Sequence, residues 1–338
     1  MAATTKKRTT ISDIAAMAGT SKTTVSFYLN GKTERMGADT QERIRAAIQA
    51  TGYAPSPLAR GMNAKNTQLI GVIIGDITHA FSNLIVKGIE QVAAEAGFRV
   101  LVSSSNRNRA DERAYIDRLL SVGVDGFIVQ PTAQFKEISK VIEDAGKQLV
   151  FFDSKFYDFN CNWVKTNNYE ATFRTVTECA TRGYKRFLLV AAPPQLLSSR
   201  IERTSGFVDA LEALGAEFTQ FDIENDTLDS CALQEFLRSN IDGETPTLVF
   251  APNCWALPDI YVAMREFYPL MPERVGLLGF DNPEWTSVAS PSVSTIMQPA
   301  LEEGAQACTI LLDLIAGKGE VDPHQILSCD VRWGATTL

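Results

Sequence analysis

Histidine is scarce in this 338-residue chain: there are only His79 and His324, with no partners at metal-ligand spacing, so no metal site is expected. The six cysteines (Cys161, Cys179, Cys231, Cys254, Cys308, Cys329) include no CxxC pair, a usage that fits reduced, buried thiols in the cytoplasm. No run approaches 18 consecutive apolar residues, which excludes a membrane-spanning helix from the expectation. MAATTKKRTT carries basic residues without a following apolar stretch, so no export signal is expected either. GxSxG, GxxxxGK[ST] and GxGxxG are all absent, which leaves no support for a hydrolase elbow or a phosphate-binding loop. The expectation is a protein without a cofactor that is not an enzyme.

What is present is a charge asymmetry. The net charge is −8, yet residues 1–66 hold ten Lys/Arg against four acids, while the remainder holds 22 against 36. A basic head on an acidic body suggests that only the head meets a polyanion.

In the head, Thr10 and Asp13 are spaced as a capping box, and Ile11, Ile14, Ala15 and Ala18 follow at helical spacing before Gly19 stops the helix. Ser21 caps a second helix, Lys22 to Asn30, with Val25 and Leu29 inward. ADTQERIRAAIQATGY supplies a third, with Ile44, Ala47 and Ile48 inward and Gly52 as its stop. Two short helices joined by a Gly-containing turn and closed by a third form a helix-turn-helix. On its outer side Lys22, Thr23, Ser26 and Phe27 occupy positions that reach base edges in the major groove. Thr9, Thr10, Ser21 and Thr24 offer hydroxyls to phosphates, and Asn30 and Tyr53 complete the candidate DNA-binding set.

TISDIAAMAGTSKTTVSFYLNG, continued by GYAPSPLARGM, resembles the headpiece of the lactose-repressor/galactose-repressor (LacI/GalR) family of bacterial transcription regulators. The resemblance implies Lys22, Thr23 and Phe27 as base readers. Phe27 stands where the family usually has Arg, so an apolar contact, such as one to a thymine methyl, replaces a guanine contact. Gly37 stands where the family carries a phosphate-touching Ser. APSPLARGMNAKNTQ then reads as a linker in which Ser56-Pro57 can start a short helix too weak to persist alone. The resemblance implies that this segment pairs with its dimer mate over DNA, inserting Met62 into the minor groove with Arg60 and Lys65 near phosphates.

From Leu69 onward short apolar runs (LIGVII, RVLVSS, DGFIVQ, QLVFFD, FLLVAA, TLVFAP, VGLLGFD) alternate with amphipathic stretches, the pattern of a parallel sheet covered by helices. Two halves separate near residues 153–166. The strand ends are polar (Asp76, Ser103, Gln130, Asp153, Asn253, Asp281), and ligands bind open α/β sheets outside those ends. LIGVIIGDITHAF, RIERTSGFVDAL, VGLLGFDN and SPSVSTIMQP extend the family resemblance to nearly the full chain. It implies an α/β body of periplasmic-binding-protein type, two parallel-sheet subdomains that dimerise and hold an effector between them, behind an N-terminal all-α headpiece. The expected organisation is a headpiece over 1–54, a hinge over 55–67 and a body over 68–338. Within the body one subdomain takes about 68–163 plus 295–322, and the other about 164–292 plus 325–338.

By the same resemblance Arg203 clamps ligand hydroxyls or a carboxylate, Asp281 accepts from sugar hydroxyls, Asn253 and Gln130 donate to them, and Phe81 packs the ligand's apolar face. Asp76 and Asp153 flank the cleft. Asn253-Cys254 replaces a common Asn-Asp pair, and His79-Ala80 a Pro. Lys155, Lys165, Arg200 and Arg203 leave room for an anionic effector such as a sugar acid. The implied function is a repressor that binds near-palindromic operator DNA as a homodimer, a dimer being the default because no leucine-zipper tail follows VRWGATTL, with affinity set by a carbohydrate-type effector (a sugar, sugar acid or sugar phosphate). A stand-alone sugar-binding protein and an α/β sugar enzyme are the alternatives.

Overall fold

The computed structural model describes residues 9–53, 67–132, 134–156, 161–194, 197–318 and 322–338. It divides into two compact units, residues 1–67 and 68–338. The expected hinge helix, with Arg60 and Met62, lies outside the described residues.

The first unit is three helices, α1 (Ile11–Met17), α2 (Lys22–Leu29) and α3 (Ala38–Thr51). Thr10 and Asp13 form the reciprocal capping box, and Gly19 turns the chain at φ +59°. Ser21 caps α2 through the Thr24 amide at 3.1 Å. α3 has no side-chain cap at Gly37, and it ends at Gly52 in the left-handed region, φ +62°. Ile14, Ala15, Ala18, Val25, Ile44 and Ala47 are buried together, with Leu29 and Ile48 partly buried against them. The core is small because the helices are short.

The second unit contains two six-stranded sheets. The first runs β11 (His324–Leu327), β5 (Asn162–Thr166), β4 (Gln148–Phe152), β3 (Gly126–Val129), β1 (Leu69–Ile74), β2 (Arg99–Ser104). The second runs β12 (Asp330–Arg332), β10 (Ser294–Met297), β9 (Val275–Phe280), β8 (Thr247–Ala251), β6 (Arg186–Ala191), β7 (Phe218–Asp222). Among these pairings only β10–β12 is antiparallel.

Alternate residues of each strand enter different cores, which is why the runs are apolar throughout. Val72, Ile128 and Val150 face α4 (Ala80–Glu95) and α12 (Ala300–Ile315), while Phe127, Val129 and Phe151 face α5 (Arg109–Val122) and α6 (Lys136–Asp144). In the second sheet Leu188, Val249 and Leu277 face α9 (Ser230–Asn240) and α10 (Leu257–Ala263). Leu189, Phe250 and Leu278 face α7 (Asn168–Arg182) and α8 (Ser198–Leu214). A one-turn α11 (Pro283–Thr286) follows β9.

The chain passes between the sheets after β5, after β10 and after β11. The expected division differs in detail: Ser294 pairs with Leu278, which puts all of β10 in the second sheet, and His324 pairs with Trp163, which puts β11 in the first. β5, β7, β10, β11 and β12 were not among the expected apolar runs, because NWVKT, FTQFD, STIM, HQIL and DVR mix polar and apolar residues.

α4 and α12 meet at two glycines. A Cβ on Gly88 would collide with the backbone carbonyl of Leu301, and one on Gly304 with that of Ile85. Backbone cannot give way as a side chain tip does, so Gly88→Ala should destabilise the body by at least about 2 kcal/mol, within the range of overpacking. Urea denaturation checks this; an unchanged midpoint would count against the close helix contact.

Candidate functional site

On the head, Lys22 and Thr23 are exposed at the start of α2, and Ser26 and Phe27 are partly exposed one turn later. The hydroxyls expected at phosphates also serve the fold. Ser21 Oγ and Thr24 Oγ1 share a hydrogen bond of 2.8 Å, and Thr10 Oγ1 donates to Asp13 at 2.7 Å. Asn30 turns back on its own helix, its amide donating to the Ser26 carbonyl at 2.9 Å, so this side chain ends α2 in the structure. Tyr53 packs partly buried against the head's core.

In the body, a cavity of about 270 Å³ lies at the carboxyl ends of strands from both sheets. Six expected residues line it: Asp76, Phe81, Gln130, Asp153, Arg203 and Asn253. Ser103 does not; its neighbour two residues on, Ser105, does.

Arg203, on α8, is 7% exposed. Its Nε donates to Asn168 Oδ1 at 2.7 Å, its Nη1 to the Pro252 carbonyl at 2.9 Å, and its guanidinium lies 3.9 Å from the Phe280 ring centre. These contacts fix the plane of the fork and leave the other terminal nitrogen for the cavity. Asn253 accepts from the Ala192 amide at 2.9 Å through its oxygen, which turns its NH2 group outward as a donor.

One expectation is corrected and another refined. Gln130 lines the cavity while Oε1 accepts from Gly75 N at 2.9 Å and Nε2 donates to Asp153 Oδ2 at 3.0 Å, so it also orients Asp153 and keeps a second amide N–H. Asp281 is not in the lining; both carboxylate oxygens are held by Gln298, from N at 2.9 Å and Nε2 at 2.6 Å. Burial pushes the Asp281 carboxyl up to about 6, against the opposing pull of Arg203. Of the four cations expected near the cleft, Arg200 and Arg203 line it. Lys165 is instead buried against Glu202 at 2.7 Å.

Sequence reasoning missed His79, Arg107, Asp226 and Trp255, all in the lining. Arg107 follows β2, Asp226 follows β7, and Trp255 follows β8, so only the fold brings them together. Asp76 is tied to Thr78 by bonds to N at 2.8 Å and Oγ1 at 2.7 Å; burial would raise its pKa, but these donors outweigh it and lower it. Burial lowers the His79 pKa, so its contact to Asp76 at 3.4 Å joins a neutral ring to a carboxylate near pH 7.

Glu303, on α12, was also missed. Its Oε1 accepts from the Asp153 amide at 2.6 Å, while its Oε2 is buried without a partner among the described residues. Burial first, and then the Asp153 charge, raise its carboxyl well above the ordinary value of 4.5, which favours the neutral form.

A three-helix unit with a polar recognition face and a two-lobed body with a polar interlobe cavity define a class: a DNA-binding protein with a ligand-sensing domain. Residues 10–56 match the family described as bacterial regulatory proteins of the lacI family, and residues 176–337 match the periplasmic binding protein-like domain. Residues 10–56 thus carry a lacI-family regulatory domain, and the chain is similar along its length to transcriptional regulators. It is 29% identical to the HTH-type transcriptional regulator KdgR of Bacillus subtilis (strain 168) over 93% of this chain and 93% of that protein. Its fold matches the lac repressor dimer bound to operator and the anti-inducer ONPF with a TM-score of 0.79, at 24% identity over 98% and 100% of the two chains. It also matches the transcriptional regulator CelR–cellobiose complex with a TM-score of 0.69, at 21% identity over 97% and 100%.

The Glu303 geometry yields a pH test. A carboxyl whose folded pKa lies above its unfolded value contributes stability that is complete below the unfolded value and lost as pH rises through the folded one. Glu303→Gln keeps a neutral acceptor for Asp153 N. It should therefore hold stability near pH 7 to within about 1 kcal/mol, where one lost hydrogen bond would cost about that much. Relative to the native chain it should lose less stability toward alkaline pH; parallel melting-temperature profiles across pH would refute this assignment.

Proposed function

We propose that the chain acts as a repressor: a homodimer binds a near-palindromic operator through α2, and a carbohydrate-type effector in the interlobe cavity changes operator affinity. The observation that carries this reading is the cavity itself, polar, sited at the strand ends of two sheets, in the same chain as a helix-turn-helix. The match to structures described with operator and with cellobiose supports it by fold.

On this reading Lys22, Thr23, Ser26 and Phe27 face bases, and Thr10, Ser21 and Thr24 approach phosphates. Asn30 and Tyr53 support the reading face, and Arg60 and Met62 act from the hinge. In the cavity Arg203 and Asn253 hold ligand hydroxyls, Asp76 and Asp153 accept from them, Phe81 and Trp255 cover the apolar face, and Gln130 and Asp281 support from behind. A two-fold dimer matches a two-fold operator, half-site for half-site. An effector that prefers one lobe arrangement shifts operator affinity by a coupling energy of about 1–3 kcal/mol.

Lys22→Ala should change the preferred operator sequence in a selection from random duplexes, and Met62→Gly should weaken specific binding more than non-specific binding. For roughly six neutralised phosphates, affinity for operator should fall about a thousandfold between about 50 and 200 mM salt. Unaltered preferences in both variants would defeat the head assignment. Arg203→Ala should keep operator binding and lose the effector response in gel-shift titration; an unchanged titration would count against this cavity.

A further inference from the structure

At the mouth of the cavity two guanidiniums meet one carboxylate. Arg200 Nη2 lies 2.9 Å from Asp226 Oδ2, and Arg107 Nη1 lies 3.6 Å from the same oxygen. Arg107 comes from the loop after β2 in the first lobe, whereas Arg200 on α8 and Asp226 after β7 belong to the second. The contact therefore crosses the cleft.

The donors here are not used up. A guanidinium has five N–H groups in a fork shaped for both oxygens of a carboxylate. Among the described residues Arg107 has only the long Asp226 contact and a place 6.0 Å from the Trp255 ring centre, and Asp76 acts on it through space while remaining bonded to Thr78. Arg109 also lines the cavity but is paired with Glu137. Arg200 is 8% exposed and anchored to the Pro193 carbonyl at 3.4 Å, whereas the Asp226 side chain is 36% exposed on a three-residue turn, Glu224–Asp226. The arginine is the fixed member and the aspartate the replaceable one.

We propose that Arg107 and Arg200 form the seat for a carboxylate on the effector, and that Asp226 occupies this seat as a tethered stand-in until the effector displaces it. The inference rests on the cavity being the effector site and deepens it by naming the ligand class: a sugar acid. Its carboxylate sits between the two arginines, and its hydroxyls reach Arg203, Asn253 and Asp153 on the remaining wall. A cavity of about 270 Å³ has room for a six-carbon acid. A neutral sugar has no anionic group to displace Asp226, so it leaves the ion pair intact and gains nothing from the seat.

The test is calorimetric titration of the full-length protein with hexonates, keto-hexonates and hexuronates, beside their neutral parent sugars and glucose 6-phosphate. At least one acid should bind at least tenfold more tightly than its neutral parent. Arg107→Gln, at a partly exposed position that does not threaten folding, should reduce that ratio about tenfold, close to the loss of one charged hydrogen bond. Asp226→Asn should raise it by removing the competitor. If no acid in the panel binds, if only the phosphate or the neutral sugars bind, or if Arg107→Gln leaves the ratio unchanged, the carboxylate seat is wrong. Binding of a neutral sugar that Arg203→Ala abolishes would in that event leave the effector cavity itself standing.

Discussion

Parallel strands covered by helices on both faces have no side on which to place a polar group. Burying an unpaired hydroxyl or amide costs on the order of 1–3 kcal/mol in proteins, and β1, β3, β8 and β9 are accordingly aliphatic or aromatic along almost their full length. Polar chemistry is displaced to the carboxyl ends, where the backbone leaves the sheet. Asp153 and Asp281 both sit there at positive φ, +66° and +54°, which swings the chain sharply as it leaves the strand. The cavity follows from this exclusion: it collects what the sheets cannot hold.

What collects there is charged, and most of it is held by the protein itself. Gln130 holds Asp153, Gln298 holds Asp281, Thr78 holds Asp76, and Asn168 and Pro252 hold Arg203. Each supporting bond removes a rotamer choice before a ligand arrives, which lowers the entropy cost of binding. Glu303 carries this furthest. It lies behind Asp153, its carboxyl biased toward the neutral form, accepting from a backbone amide where a second ionised carboxylate would repel the first.

The head was legible in the sequence almost residue by residue, because capping, glycine stops and helical spacing act within four residues. The seven apolar runs were equally plain, since a strand buried on both faces needs no partner to reveal itself. The residues that escaped are those whose meaning depends on distant neighbours. Nothing local in NWVKT signals a strand with a buried lysine, because Glu202, its partner, lies 37 positions away. Arg107, Asp226 and Trp255 are ordinary loop residues until three different strand ends converge. Asp281 was found but misread: the strand-end position was right, and the hydrogen bonds that turn it toward the protein were invisible to a linear pattern.

The segments that cross between the sheets share their hydrogen bonds with the cavity wall. Thr166, at the end of β5, donates to Gln298, which follows β10, at 2.9 Å; Gln298 in turn holds Asp281. Asn167 accepts from the Cys329 amide at 2.7 Å and donates its own amide to the Leu327 carbonyl, which joins the first and third crossings. Asn168, the next residue, is the acceptor for Arg203. A group that pulls on the Arg203 guanidinium therefore acts one hydrogen bond from the place where the lobes are joined. Buried networks of this kind have discrete arrangements because a half-satisfied member costs more than a rearranged one. On the reading proposed above, that is why an effector would change the relation of the lobes rather than merely fill the space between them.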